Sequence, residues 1–266
     1  MWGLNGGRIP IIAVHAYESG TKDALRWADV AAGKYDDVLT ANTIDLKTEL
    51  DARPGSKAIL VWDHEPEDDS DTVPLGGRTR NGPSGMPTDY IASFEHVRTL
   101  WRTIIPRDQA PICCTLMGTT YRAVGTDQRG NPRTRGDGTT LEDWLPTRLT
   151  MLGVDDYNAY PLWGPPPWKS FEELFAAAYN AATVLRKRPL LIEETGCVED
   201  PNNPEAKARW FTDAKATLTR WKSVWGVEYS HVMGERVNKT TGNLDDLPYW
   251  IDTSSQSLTA YRAFVS

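Results

Sequence analysis

The sequence predicts an α/β fold of the (β/α) type, an open sheet or a barrel, on three observations. Short apolar runs alternate with longer stretches of helical period. The apolar runs lack the strict alternation of half-exposed strands, and the long Gly/Pro/Asp-rich segments all follow such runs. Strands covered on both faces are typical of parallel sheets, and parallel pairing requires right-handed crossovers. With 266 residues, 40% of them hydrophobic, the chain can bury one large core, so residues 1–266 are expected to form a single domain.

Taken in order, the expected strands are 8–15 (R-I-P-I-I-A-V-H), 57–62 (K-A-I-L-V-W), 111–117 (P-I-C-C-T-L-M), 154–160 (V-D-D-Y-N-A-Y), 189–194 (P-L-L-I-E-E) and 226–233. The expected helices are 22–50, 90–105, 141–152, 171–187 and 204–221, with a terminal helix over 257–264. Three long loops, 67–89, 121–140 and 161–169, follow the C-terminal ends of strands, where parallel α/β folds carry their sites. Six strands are found where a closed barrel of this kind takes about eight. Either two strands escape the pattern, or the chain begins partway into the domain, or the barrel is completed in another way.

The formal charge of -7 argues against a nucleic-acid backbone or an anionic membrane as the main partner; a neutral ligand fits better. Eleven Trp and ten Tyr exceed what a core of this size needs, and flat aromatic faces suit stacking on sugar rings. Three cysteines cannot make a disulfide framework. Cys113 and Cys114, adjacent on a strand, would point to opposite faces, so reduced packing thiols are expected, Cys197 included. No apolar run approaches the roughly 18 residues of a membrane span. The N-terminus has no basic segment followed by an apolar one, which leaves a cytosolic location, release by lysis, or a place in a larger assembly.

The chemistry concentrates at 61–69, V-W-D-H-E-P-E-D-D, with five carboxylates and one histidine. Zinc would want a second histidine at short spacing after His64, and calcium would want alternating oxygen ligands around a Gly turn; neither pattern is present, and no metal or cofactor is expected. Position gives a third reading. Asp63, His64 and Glu65 end a strand, and a partly desolvated carboxyl group there has the character a general acid needs; Glu65 is the candidate. Asp63 is expected to point the same way one layer deeper. Glu67, Asp68 and Asp69 are expected to form a solvated acidic turn. A second carboxylate ends another strand in L-L-I-E-E-T-G, 190–196, where only one of Glu193 and Glu194 can face the barrel axis, and Glu194 is nearer the C-terminal end. Two such carboxylates roughly 5 to 5.5 Å apart would suit a retaining glycosidase.

W-D-H-E at 62–65, together with V-D-D-Y-N-A-Y and L-I-E-E-T-G, resembles the retaining (β/α)8 TIM-barrel glycoside hydrolases whose catalytic glutamates end strands four and seven. Within them it is most similar to family 26, the β-mannanase family, in forms found in actinobacteria and their phages; segments 27–39 and 250–263 share the likeness. The resemblance implies Glu65 as general acid/base and Glu194 as nucleophile. It also implies that His64 orients the acid and that Tyr160 hydrogen-bonds the nucleophile, with Asn158 of the same motif among the substrate-binding residues. Pro66, Glu67 and Asp68 stand where the family usually has Asn and an aromatic, so its mannan subsites do not transfer. In this alignment strand 8–15 is the family's third. The barrel would then be incomplete at the N-terminus, or completed by another virion or domain partner.

Trp163 and Trp168, in the proline-stiffened P-L-W-G-P-P-P-W, are candidates for sugar stacking. His15 ends the first strand and is either a sugar contact or a satisfied core histidine. Glu228, His231 and Glu235 receive no role. Two functions follow: a retaining, endo-acting hydrolase of a neutral polysaccharide, mannan-like or from a cell envelope, or a carbohydrate-binding phage tail module with little turnover.

Overall fold

The computed structural model describes residues 9–17, 23–71, 83–125, 133–160, 162, 167–237 and 244–266. The chain divides into two compact units, Met1–Gly153 and Val154–Ser266.

In the first unit β1 (Ile11–Val14) pairs in parallel with β2 (Ile59–Trp62), Val14 opposite Trp62, and β2 pairs in parallel with β3 (Ile112–Met117), Leu60 opposite Ile112. The next strand, β4 (Met151–Asn158), starts here: the Thr150 N–H just before it donates to the Ile112 carbonyl at 3.2 Å. Every residue of β2 is buried, as its unbroken apolar sequence predicts for a strand covered on both faces. Among the described residues this unit has five α-helices: α1 (Trp27–Ala31), α2 (Asp36–Asp51), α3 (Pro87–Ile104), α4 (Gly118–Arg122) and α5 (Leu141–Trp144). In α3, Pro87 occupies the first turn and Asp89 accepts from the Met86 N–H at 2.9 Å; Tyr90, Phe94, Val97 and Trp101 form its buried face. Trp27, Tyr90 and Trp144 meet as a ring cluster with centroids 5.4 to 6.3 Å apart.

In the second unit the rest of β4 adjoins β5 (Leu190–Cys197), which pairs in parallel with β6 (Val224–Tyr229). The Thr195 hydroxyl donates to the Asp156 carbonyl at 2.9 Å, and the Val198 N–H to the Asn158 carbonyl at 3.1 Å. An antiparallel hairpin follows, β7 (Met233–Val237) with β8 (Leu244–Pro248). Ser170 and Glu173 form a reciprocal capping box on α6 (Phe171–Asn180), which runs on into a π turn over Ala181–Leu185. Phe171, Phe175, Trp210 and Phe211 fill the core between α6 and α7 (Ala206–Arg220), and Tyr229 and Tyr261 continue it toward α8 (Ser255–Val265). Lys207 is wholly buried; its ammonium donates to the Trp250 carbonyl at 2.6 Å and to the Thr253 hydroxyl at 3.1 Å, and burial lowers its pKa.

All six expected strands are present and parallel, and all three cysteines are buried free thiols. Among the described residues no helix is long and apolar enough to cross a membrane. Three expectations need correction. The helix expected over 22–50 is two, because Gly33 turns left-handed at φ +80°. That over 141–152 stops at Trp144, and Met151 already begins β4. Here Gly153 lies so close to β3 that a Cβ would sit 2.1 Å from Thr115 Oγ1, an approach that suits a strand rather than a helix. The last strand ends at Tyr229 instead of reaching Met233, which belongs to the hairpin. Neither that hairpin nor α4 shows in the sequence pattern.

Candidate active site

The first set of site residues lies at the end of β2. Asp63 and Glu65 are both left-handed, with φ +53° and +50°, on either side of His64. Such conformations cost non-glycine residues about 1–3 kcal/mol each and persist only where surrounding contacts over-determine them. The contacts are present. The Asp63 N–H donates to the Val14 carbonyl at 2.8 Å and the Glu65 N–H to the Thr115 carbonyl at 3.3 Å. Pro66 then opens a single 3-10 turn, Pro66–Asp68, in which the Asp68 N–H returns to the Glu65 carbonyl at 3.1 Å.

This double turn sorts the five carboxylates. His64, Glu65 and Asp68 are half-buried, while Asp63, Glu67 and Asp69 are buried. The Asp63 carboxylate accepts from the Ala16 N–H at 3.2 Å and from the Trp27 indole, and lies 3.7 Å from His15 Nδ1, so it ties the ends of β1 and β2 to α1. His15 is half-buried, stacked on Tyr17 at 5.6 Å and edge-on to His64 at 6.4 Å. The structure thus groups His15, Asp63 and His64.

Glu67 departs furthest from expectation. In place of a solvated turn residue it is fully buried, and its Oε1 accepts from the Met117 N–H at 2.9 Å and the Thr120 hydroxyl at 2.6 Å. Arg135 Nη1 lies 3.6 Å from the same oxygen. Burial pushes the Glu67 carboxyl up to about 7, against the lowering effect of Arg135 and these hydrogen bonds. Asp69 is also buried.

The second set of site residues lies along β5. Glu193 is buried, and Glu194, on the opposite face of the strand, is the one half-buried residue of β5. The Tyr157 hydroxyl donates to Glu194 Oε2 at 2.8 Å and is also 2.8 Å from Ser230 Oγ. Burial first, then the charges of Asp155 and Glu194, raise the Tyr157 pKa, so the phenol keeps its proton and donates. The Tyr157 ring packs on Tyr249 at 4.8 Å, against a cluster with Val198 and Leu247. A Cβ at Gly196 would meet both rings, at 2.6 Å from Tyr249 and 2.8 Å from Tyr157, which explains the glycine in E-E-T-G. Glu228, at the end of β6, has its carboxyl raised by partial burial and by the charge of Glu194.

Two expected substrate contacts are corrected here. The tyrosine that donates to Glu194 is Tyr157, not Tyr160: β4 ends at Asn158, so Tyr160 lies beyond the strand in a turn. Asn158 is 3% exposed, and its amide donates to the Lys169 carbonyl at 2.9 Å and contacts Cys197 Sγ at 3.7 Å, so it holds the loop rather than facing solvent. Trp168 is half-buried, and Trp163 lies outside the described residues. Strand period could have found Tyr157, two residues after Asp155 on one face of β4. No sequence signal marks Ser230 or Tyr249.

No model of a known protein family matches the chain. Endoglucanase H of Acetivibrio thermocellus is 27% identical over 263 residues, which is 97% of this chain and 24% of that protein; the chain thus spans about a quarter of the curated relative's length. Among solved structures, a family 5 xyloglucanase from Paenibacillus pabuli aligns with a TM-score of 0.56 at 13% identity, over 98% of this chain and 77% of its own. An endo-β-1,4-glucanase from Xanthomonas axonopodis pv. citri, a triple mutant, aligns with a TM-score of 0.54 at 13% identity, over 96% and 74%. The fold is that of the TIM-barrel glycosidases. It carries six parallel strands among the described residues, as expected of an incomplete (β/α)8 barrel. The family named among these neighbours is 5, so the glycosidase-fold part of the resemblance stands and membership of family 26 does not follow from it.

Proposed function

We propose that the chain is an endo-acting, retaining glycoside hydrolase of a neutral polysaccharide, with Glu194 as nucleophile and Glu65 as general acid/base, both within one catalytic domain. The observation that carries this reading is the hydrogen bond from Tyr157 to Glu194. A carboxylate near the C-terminal end of a parallel strand, with one oxygen fixed by a phenol that is itself held by Ser230, is oriented to attack an anomeric carbon. Glu65 supports the second role: it follows β2 directly, half-buried, on a turn whose strained backbone is stabilised by surrounding contacts. In the reaction Glu194 would displace the leaving oxygen while Glu65 protonates it; Glu65 would then deprotonate the water that releases the sugar.

Similarity to endoglucanases favours a β-1,4-linked glucan; a mannan-like or cell-envelope polysaccharide is the second candidate, since the family 26-like H-E and E-E-T-G motifs come without that family's mannan subsites. The net charge of -7 suits either neutral polymer. His15 and Trp168 are the proposed sugar contacts that remain half-buried, with His64 orienting Glu65. The curated relative and the two solved structures named above give no support to the alternative of a phage tail module without turnover. The test is hydrolysis of β-glucans, β-mannans and cell-envelope glycans, with Glu194→Gln as control, followed by intact-mass detection of a glycosyl adduct from a 2-fluoro glycoside. A cleaved glycan with no adduct would exclude retention through Glu194, and undiminished turnover by Glu194→Gln would exclude that residue as nucleophile.

A further inference from the structure

The buried carboxyl of Glu67 has no place in the chemistry assigned above. It lies two residues beyond Glu65, separated only by Pro66. A wholly buried carboxylate is expensive unless its surroundings compensate for lost hydration. Here the compensation is one-sided. Oε1 takes the Met117 N–H, the Thr120 hydroxyl and the proximity of Arg135, while Oε2 is buried with no hydrogen-bond partner among the described residues.

The partners have a pattern. Where β2 turns away after Trp62, the backbone of Glu65 still reaches β3, through its N–H to the Thr115 carbonyl. Two residues further along both segments, the Glu67 side chain takes the next β3 group, the Met117 N–H, which would otherwise lack an acceptor at the end of its strand. Residues 65 and 67 are therefore tied to 115 and 117, and the strained turn is held from both ends.

The loop leading to α5 closes over the same carboxyl. Arg135, about nine-tenths buried, donates to the Thr120 hydroxyl and pairs with Asp137 at 3.3 Å. Asp137 in turn holds the Thr139 N–H at 2.9 Å, and the Trp144 indole donates to the Thr139 hydroxyl at 3.0 Å. Arg135 faces Glu67, and Tyr90 of α3, beside Cys114 of β3, senses its charge.

We propose that Glu67 is a positioning residue: it replaces the missing strand contact at Met117 and, with Thr120 and Arg135, fixes the turn that presents Glu65. This rests on the reading of Glu65 as general acid, so the test separates the two. A general acid matters for a poor leaving group and little for an activated one. Turnover of the glycan that the wild type cleaves is compared with that of the matching 2,4-dinitrophenyl glycoside for wild type, Glu65→Ala, Glu67→Ala and Glu67→Gln.

In Glu67→Ala, kcat on the glycan is expected to fall about 100-fold with KM within about threefold, while the glycosylation rate on the activated glycoside stays within about threefold. Glu67→Gln keeps a carbonyl for Met117 and Thr120 but loses the charge opposite Arg135. It is expected to recover at least about tenfold of the loss. If Glu67→Ala does not fold, Glu67→Gln decides through its kcat/KM profile: an inflection near pH 7 in the wild type and absent from the variant upholds the proposal, and superimposable profiles overturn it. Equal losses on both substrates, or none on either, also overturn it. Absence of the leaving-group effect in Glu65→Ala instead rejects Glu65 as the acid and leaves the reading of the site itself at fault.

Discussion

The Tyr157 hydroxyl stands between Glu194 Oε2 and Ser230 Oγ, 2.8 Å from each, so the side chain on β5 is oriented by a residue of β4 that is fixed from the end of β6. Hydrogen bonds to charged groups contribute about 1.5–3 kcal/mol. Tyr157→Phe, which keeps the ring on Tyr249, is expected to lower kcat about 10- to 100-fold with little change in thermal midpoint. Ser230→Ala should do less. Steady-state kinetics and a melting curve on the same samples check both.

Gly196 makes that arrangement sterically possible. Gly196→Ala would place a methyl group within 2.8 Å of Tyr157 and 2.6 Å of Tyr249. Overpacking of this kind typically costs about 1–3 kcal/mol. Stability and activity should fall together, in contrast to Tyr157→Phe. Denaturant unfolding alongside kcat measures the pair.

Glu67 makes stability depend on pH with a defined sign. Its folded pKa, about 7, is above the ordinary 4.5, so the folded state holds the proton more tightly than the unfolded chain. The stabilising contribution is fully present below about pH 4.5 and is lost as pH rises through about 7. A shift of this size corresponds to about 3 kcal/mol between those limits. Glu67→Gln should flatten that part of the curve. Urea midpoints from pH 4.5 to 8 test it; parallel curves for the two proteins would refute the assignment.

Lys207 anchors the segment before α8. Lys207→Ala removes both donors to Trp250 and Thr253 and leaves a buried void. A loss of about 2–5 kcal/mol is expected, from the cavity and the two lost hydrogen bonds together. Lys207→Met, which fills the volume, should recover part of it. Urea unfolding of the two variants beside the wild type checks both statements.

The six parallel strands, the reduced thiols and the acidic segments after β2 and within β5 are legible from local pattern, because burial on two faces acts over a few residues. The helix expected over 141–152 is misread because a short apolar run such as M-L-G-V fits either period. Only the close approach of Gly153 to β3, where a Cβ would sit 2.1 Å from Thr115 Oγ1, decides for strand.

What the sequence by itself determines is therefore the alternation of elements and the acids that follow β2 and lie in the C-terminal half of β5. Tertiary structure alone decides which of the neighbouring polar residues serve them. P-E-D-D reads as a solvated turn until a backbone N–H 50 residues away and Arg135 enclose Glu67. V-D-D-Y-N-A-Y offers two tyrosines until the strand ends at Asn158 and Ser230 meets the first. The physical reason is the same in both cases. Burial and hydrogen-bond partners of a polar side chain come from segments distant in sequence, and no local period encodes them.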